Sequence, residues 1–304
     1  MRVSHRQAVG LMVAVTLMWS IAGVVTRFLE SARGFEITFW RSAVTVVALV
    51  PMLAWLRGPR EVWARVRGGD RAFWVASACW ATMFTAFMLA LSLTTVANVL
   101  ITLALGPLFT ALASRVFLHH RLPPRTWAAI VVAGVGIAWM YGAEVGLAGA
   151  RHVAGVAVAL AVPIAGATNW TLMQHLHHGE DDAEDMLPAV MVGAALSALL
   201  TLPLALPLSA SAHDVSLLAL LGVVQLAIPC LLAMSLTRVL KAPEISLLAL
   251  LEVVFGVLWA WLGAGEEPSL PVLGGGALVL AALVGNEWWG MRERAAVADA
   301  RAAG

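Results

Sequence analysis

Polar residues interrupt this chain at nearly even intervals, and the stretches between them are almost wholly apolar. Ten such runs can be marked, at about 8–26, 36–56, 72–92, 95–117, 124–142, 152–174, 186–207, 215–238, 243–263 and 270–290. Each is close to the roughly 20 residues that cross a hydrocarbon core about 30 Å thick. None alternates apolar and polar with a period of two, as a barrel strand would. Backbone groups in lipid must be bonded within their own segment, so each run predicts a helix. The stretches between runs are too short for a soluble domain. The fold class is therefore all-α: a polytopic membrane protein with ten transmembrane helices.

One pattern occurs twice. From Thr94 to Tyr141 an apolar run containing Asn98, Thr102, Gly106-Pro107 and Phe109 leads to a basic hinge, His119–Arg125, and then to a second run rich in Gly and Ala. A weaker copy lies about 146 residues later, from Ala242 to Gly285, with Phe255 opposite Phe109 and Glu266-Glu267-Pro268 opposite His120-Arg121-Leu122. This divides the chain into a first repeat at 1–148, a second at 149–292, and a tail at 293–304. Pro107 has no N–H, which frees the carbonyl of residue 103 for a substrate or a hinge.

The loop charges give the orientation. With the N-terminus inside and the spans alternating, fifteen of the 19 Lys and Arg residues fall on the inner side and only Arg27, Arg33 and Arg151 on the outer; Arg41 lies within a span. The positive-inside rule then puts both termini in the cytoplasm. Five spans per half is an odd number, so the halves are inverted with respect to each other. That arrangement is common in transporters and puts the substrate site near the midplane, where the repeats meet.

Composition agrees: 61% of residues are apolar and 12% charged, against about 25% charged in a soluble domain. The net charge of +1 comes from scattered loop residues and points to no nucleic-acid partner. Cys79 and Cys230 both lie inside apolar runs, as buried small side chains do, and suggest neither a disulfide nor a thiolate metal site. Met1–Ala22 has the outline of a signal peptide, but its apolar run is too long and its removal would spoil the loop-charge pattern. The stretch His175–Asp185 holds three histidines and five carboxylates with no Lys or Arg. It reads either as a solvated connector or as a metal or pH sensor of undefined ligand spacing.

Several short motifs now take on meaning. Trp19-Ser20, Phe39-Trp40-Arg41, Ala90–Asn98, Gly106-Pro107-Leu108-Phe109, Asn169-Trp170, Glu252 and Glu266 together resemble the EamA-type branch of the drug/metabolite transporter superfamily, over nearly the whole chain. Departures are His120 where that family usually carries Glu, Gly106 where Glu or Ser is common, and Val253 in place of Pro. The resemblance implies ten helices in two inverted five-helix repeats and a central cavity lined by helices one to four and six to nine. Helices five and ten would be peripheral. It also implies export of small metabolites, often amino acids, with the aromatic and amino-acid exporters the nearest subgroup.

The candidate substrate-binding residues are Trp19, Ser20, Arg41, Trp80, Asn98, Thr102, Asn169, Trp170, Gln225 and Glu252. In the first helix Thr16, Ser20, Gly23 and Arg27 share one face, bordered by Trp19, which either lines a cavity or lets backbones approach. Phe73, Ser77, Trp80, Phe84, Phe87 and Leu91 form an aromatic stripe on the third, of which Trp80 needs an N–H partner at that depth. Asn98 offers two donors and an acceptor to a ligand or to a neighbouring helix. Arg41 either attracts a substrate carboxylate or snorkels to the interface. Glu252 is an intramembrane ionisable group, a functional candidate by default, and would suit proton coupling. Small residues on spans five and ten (Gly134, Ala138; Ala277, Ala281, Gly285) favour close helix contact within a monomer or across a homodimer.

These observations point to a secondary transporter rather than an enzyme, working without cofactor or metal. It would export an amino acid or similar small molecule across the inner membrane by alternating access. The alternatives are a membrane enzyme acting on lipid-linked substrate and a non-transporting sensor. No Ser-His-Asp set, metal motif or phosphate loop supports the first, and no signalling domain the second.

Overall fold

The computed structural model describes residues 4–117, 123–145, 149–176, 186–236, 239–240 and 248–302, with some side chains inside the helices also outside the description. All regular structure among the described residues is helical. In chain order the elements are α1 His5–Thr26, α2 Phe35–Arg57, α3 Pro59–Arg67, α4 Arg71–Leu93, α5 Val96–Leu103, α6 Gly106–Phe117 and α7 Pro124–Val145. They continue with α8 Gly149–Leu176, α9 Leu187–Ala205, α10 Ala212–Leu220, a π-helical stretch Leu221–Ala227, α11 Ile228–Leu236, α12 Leu251–Ala264 and α13 Leu270–Ala302. Among the described residues seven helices are long and apolar enough to cross a membrane, and Val153–Asn169 and Leu251–Ala264 are shorter apolar ones.

Helix starts follow from side chains that accept orphan N–H groups. Ser4 and Gln7 form a reciprocal capping box on α1. Asp70 accepts from the Phe73 N–H to start α4, Thr95 from Asn98 to start α5, and Ser211 from Asp214 to start α10.

The packing of the helices on one another carries the repeat. Counting α5–α6 as span 4, α10–α11 as span 8, and the remaining long helices in order, spans 2 and 7, 4 and 9, and 5 and 10 pack on each other. Span 3 packs on 6 as span 1 does on 8, span 4 on 6 as 1 on 9, and span 3 on 7 as 2 on 8. Exchanging each span with the one five places later maps this set onto itself, so the two halves share one architecture. Span 5 packs chiefly on span 10, where Gly136 lies under the Gly275 carbonyl. Val131 and Val135 face outward from that pair, as peripheral helices should.

The halves are also inverted. One end of the bundle is basic, with Arg57, Arg65, Arg115 and Arg125; α1 starts there and finishes at the far end. Its counterpart α8 starts at the far end, where Arg151 Nη2 donates to the Ser92 carbonyl at 3.1 Å, next to the Arg27–Thr94 contact at the end of α1. Likewise α2 ends at the basic end, whereas its counterpart α9 begins there, beside the Arg65 Nη2–Met186 Sδ contact of 3.6 Å.

Three features differ from the pattern read along the chain. Span 4 is two helices, broken at Ala104–Leu105 ahead of Pro107. The connection between α2 and α4 contains the helix α3. The residues assigned to a tail continue α13 as far as Ala302.

Candidate functional site

Both halves break their fourth span at the same place. In the first half α5 ends at Leu103 and α6 starts at Gly106; in the second, helical residues 248–249 meet a turn at Leu250 before α12 starts at Leu251. Interrupted apolar helices at matching positions of inverted repeats are the best structural pointer to a transporter's binding site. Both breaks keep the right-handed helical backbone region, at Ala104 and at Leu250, so each span continues past its interruption. Glu252 lies in the first turn of α12. It is about 18 Å from the Ala264 end at 1.5 Å per residue, close to mid-depth.

The third interruption lies in span 8. Its π stretch Leu221–Ala227 ends with the Ile228 N–H donating to the Val223 carbonyl, one residue further back than in an α-helix. Pro229 explains the position: it lacks a donor, and its ring crowds the carbonyl four residues before, that of Gln225. A wider turn relieves the clash and re-aims the side chains. Such turns are frequent at functional sites.

Gln225 is thereby set against Arg41. Arg41 is 0% exposed, which removes the snorkelling alternative. Its Nη1 donates to Gln225 Oε1 at 3.0 Å, its Nη2 to the Phe84 carbonyl at 2.8 Å, and its Nε has no partner among the described residues. The guanidinium lies 5.8 and 5.7 Å from the ring centroids of Phe84 and Phe87. All these partners are neutral. Gly222 makes the approach possible: a Cβ there would stand 2.9 Å from the Arg41 carbonyl. Thr45 Oγ1 bridges the carbonyls of Arg41 and Gly222 at 2.8 and 3.2 Å. One helical step away, Ser42, Ser197 and Thr85 form a hydroxyl chain with links of 3.0 and 2.9 Å, tying α2, α9 and α4. Trp80 is half-buried with its ring 5.5 Å from that of Phe84, so the aromatic stripe of α4 ends on the arginine. Trp19 lies beside Cys230, one turn beyond Gln225.

The other predicted residues stand apart from this group. Ser20 accepts from the Trp259 indole at 3.2 Å and donates to the Leu17 carbonyl. Gly23, on the same face, admits Val96 so closely that a Cβ would lie 2.4 Å from its Cγ1. In this conformation the polar face of α1 is a packing seam against α5 and α12, not the wall of a water-filled chamber. Asn98 and Thr102 are fully buried; Asn98 Nδ2 donates to Thr94 Oγ1 at 3.2 Å, and Thr102 Oγ1 to the Asn98 carbonyl at 2.7 Å. Asn169 is buried with its Oδ1 unpartnered among the described residues. The side chain of Trp170 and the histidine-rich stretch 177–185 lie outside the described residues. Among the described residues no group of His, Cys, Asp and Glu is arranged to hold a metal.

Sequence reasoning missed the contacts that tie the far end together. Glu266 Oε2 accepts from Arg27 Nε at 2.8 Å and its Oε1 from the Val96 N–H at 2.5 Å. Arg27 also donates to the carbonyls of Leu91 and Thr94 at 3.0 and 3.1 Å. The Arg27–Glu266 pair thus joins spans 1, 3, 4 and 9. An open cleft of about 430 Å³ lies above it, lined by Arg27, Ser92, Leu93, Thr94, Thr95, Arg151 and Glu266. On the other flank Asp214 accepts from the backbone N–H groups of Glu30, Ser31 and Ala32 at 2.8–2.9 Å. There Glu36 accepts from Ser209 and Ala210 N–H groups and from Ser209 Oγ. Glu266 stood out along the chain only as a hinge and motif residue, with nothing to indicate these partners.

The model of the EamA-like transporter family matches residues 6–142 and again 153–286, the same two halves that the packing symmetry defines. A solved structure described only as the crystal structure of a protein superposes with a TM-score of 0.59 at 18% identity, covering 92% of this chain and 96% of that one. A search of curated proteins finds no match.

Proposed function

The chain belongs to the EamA-like transporter family, and from that premise we propose that it exports small carboxylate-bearing metabolites, amino acids first among them, by alternating access. The basic end faces the cytoplasm of an inner membrane, following the charge bias of its loops, and the far end is the exit. The protein described here is closed at that exit by the Glu266 carboxylate.

The single observation behind the substrate class is the state of Arg41. A guanidinium fully removed from water carries a large desolvation cost unless a counter-charge meets it. Here it meets one amide oxygen, one carbonyl and two ring faces. A substrate carboxylate arriving from the break between α5 and α6 would supply the missing charge, and Trp19 and Trp80 would flank its side chain. Glu252, at mid-depth on the half-helix of the second repeat, is the site we assign to a coupled proton.

Counterflow into liposomes tests this reading. An amino acid should exchange, and its decarboxylated amine should not. Arg41→Lys keeps the charge but loses the planar fork, and should lower exchange by roughly 10-fold or more, since hydrogen bonds to charged groups contribute about 1.5–3 kcal/mol. Glu252→Gln should abolish gradient-driven accumulation while leaving counterflow. Equal exchange of the amine and the amino acid would remove Arg41 from substrate recognition.

A further inference from the structure

A second cleft lies at the rim of the basic end, between α3 and the start of α9. Its volume is about 270 Å³, and Arg57, Glu61, Val62, Arg65 and Pro188 line it. Gly58 creates it. With φ at +89°, a conformation L side chains rarely adopt, this residue turns the chain sharply out of α2 so that Pro59 can open α3 across the end of the bundle. α3 packs between α2, which it follows, and α9 of the other half. Its Val62 is buried, while Arg60, Glu61, Trp63 and Arg67 are exposed.

Between Arg57 and Arg71 there are five arginines (57, 60, 65, 67, 71) against Glu61 and Asp70, a local net charge of +3. Two tryptophans next to these residues in the chain are exposed, Trp55 at 86% and Trp63 at 57%, and Arg67 lies 4.9 Å from the Trp63 ring centroid. Exposed indoles beside arginines on an amphipathic helix mark the headgroup level of a bilayer. Arg65 is held at the mouth by Phe73, 5.2 Å from its ring centroid, and by Met186.

We infer that this cleft binds the headgroup of an anionic phospholipid, with its phosphodiester between Arg57 and Arg65 and its head alcohol against Glu61. A basic pocket between transmembrane helices on the positive side is the recognised form of such sites. Glu61 gives the selection within that class: it accepts hydrogen bonds from a hydroxylated head such as glycerol and repels a free inorganic dianion. Because α3 contacts elements of both halves, an occupied site clamps the basic end whatever substrate the transporter carries.

The test uses the full chain in neutral detergent. Phosphatidylglycerol should raise the thermal midpoint by a few degrees, as a ligand bound only by the folded state does. Phosphatidylcholine and inorganic phosphate should leave it unchanged. Arg57→Gln should abolish the shift, whereas Arg60→Gln/Arg67→Gln, which changes equal or greater charge outside the cleft, should keep most of it. Native mass spectrometry of the unmutated protein should show one phosphatidylglycerol retained under conditions that strip phosphatidylcholine, which tests the site even if Arg57→Gln does not fold. Equal shifts from both lipids, a shift from inorganic phosphate, loss of the shift in the double variant alone, or no retained lipid would overturn the assignment.

Discussion

Glu266→Gln perturbs the far-end closure at a single group. The carboxylate makes two charge-assisted bonds, 2.8 Å from Arg27 Nε and 2.5 Å from the Val96 N–H. The amide keeps one acceptor for Val96 and loses the charge facing Arg27. Arg27 stays in place through the Leu91 and Thr94 carbonyls, so the change removes an attraction without collapsing the site. A bond between charged partners contributes about 1.5–3 kcal/mol when buried. The side chains here are 30% and 19% exposed, and solvent screening reduces that to about 1–2 kcal/mol. If closure and the Glu266 bonds are one event, the closed-to-open ratio falls roughly 5- to 30-fold. Thr94→Cys, at a position 5% exposed in the closed state and lining the far-end cleft, reports this as a labelling rate with a membrane-impermeant maleimide. Native Cys79 and Cys230 are both buried and give little background. The rate should rise by the same 5- to 30-fold, and the effects of Arg27→Gln and Glu266→Gln should combine to less than their sum, because the two share the Arg27–Glu266 bond while Arg27 alone holds the Leu91 and Thr94 carbonyls. An unchanged rate in correctly inserted protein, or two independent and additive effects, would refute the latch.

Four further outcomes follow from the packing. Gly193→Ala places a Cβ 2.4 Å from Trp80 Cβ and 2.9 Å from the Ser77 carbonyl, neither of which can yield, and should cost about 1–3 kcal/mol in thermal unfolding. Gly256→Ala meets mainly the tip of Leu100 at 2.2 Å, a side chain free to move, and should unfold at a higher temperature than Gly193→Ala. Pro229→Ala restores the missing donor, lets the π turn Leu221–Ala227 relax to α, and rotates Gln225 by about 100° away from Arg41; counterflow should fall while the amount of protein in the membrane holds. Asp214→Ala leaves three loop N–H groups without their acceptor, and should lower stability by at least about 2 kcal/mol on the same thermal assay.

Much of this architecture was written in the apolar runs. Their length predicted the spans, and their loop charges predicted an inversion that the Arg151–Ser92 and Arg65–Met186 contacts now display. Arg41 stood out because a charge inside a span is costly. Its partner was harder to see. Gln225 looked like any polar residue of an apolar run, and only the pairing with Pro229 four residues on carried a signal of the widened turn. The α1 stripe had the right period but an ambiguous meaning, since Ser20 and Gly23 serve equally to line water or to seat Trp259 and Val96. α3 was hidden among loop charges: its buried face rests on Val62. Glu266 was noticed as a motif residue, but its reach to Arg27 and Val96 depends on two elements 239 and 170 positions away, which no local pattern encodes.

Paired distance measurements between spin labels test alternating access most directly. One pair, at the exposed positions Glu30 and Glu267, straddles the Glu266 closure; the other, at Arg71 and Ser235, spans the basic end between the two halves. Saturating substrate in liposomes should redistribute both, with populations in which the first pair lengthens as the second shortens. Two distances that rise and fall together, or that stay fixed while counterflow proceeds, would contradict a pair of inverted halves exchanging access to one buried site.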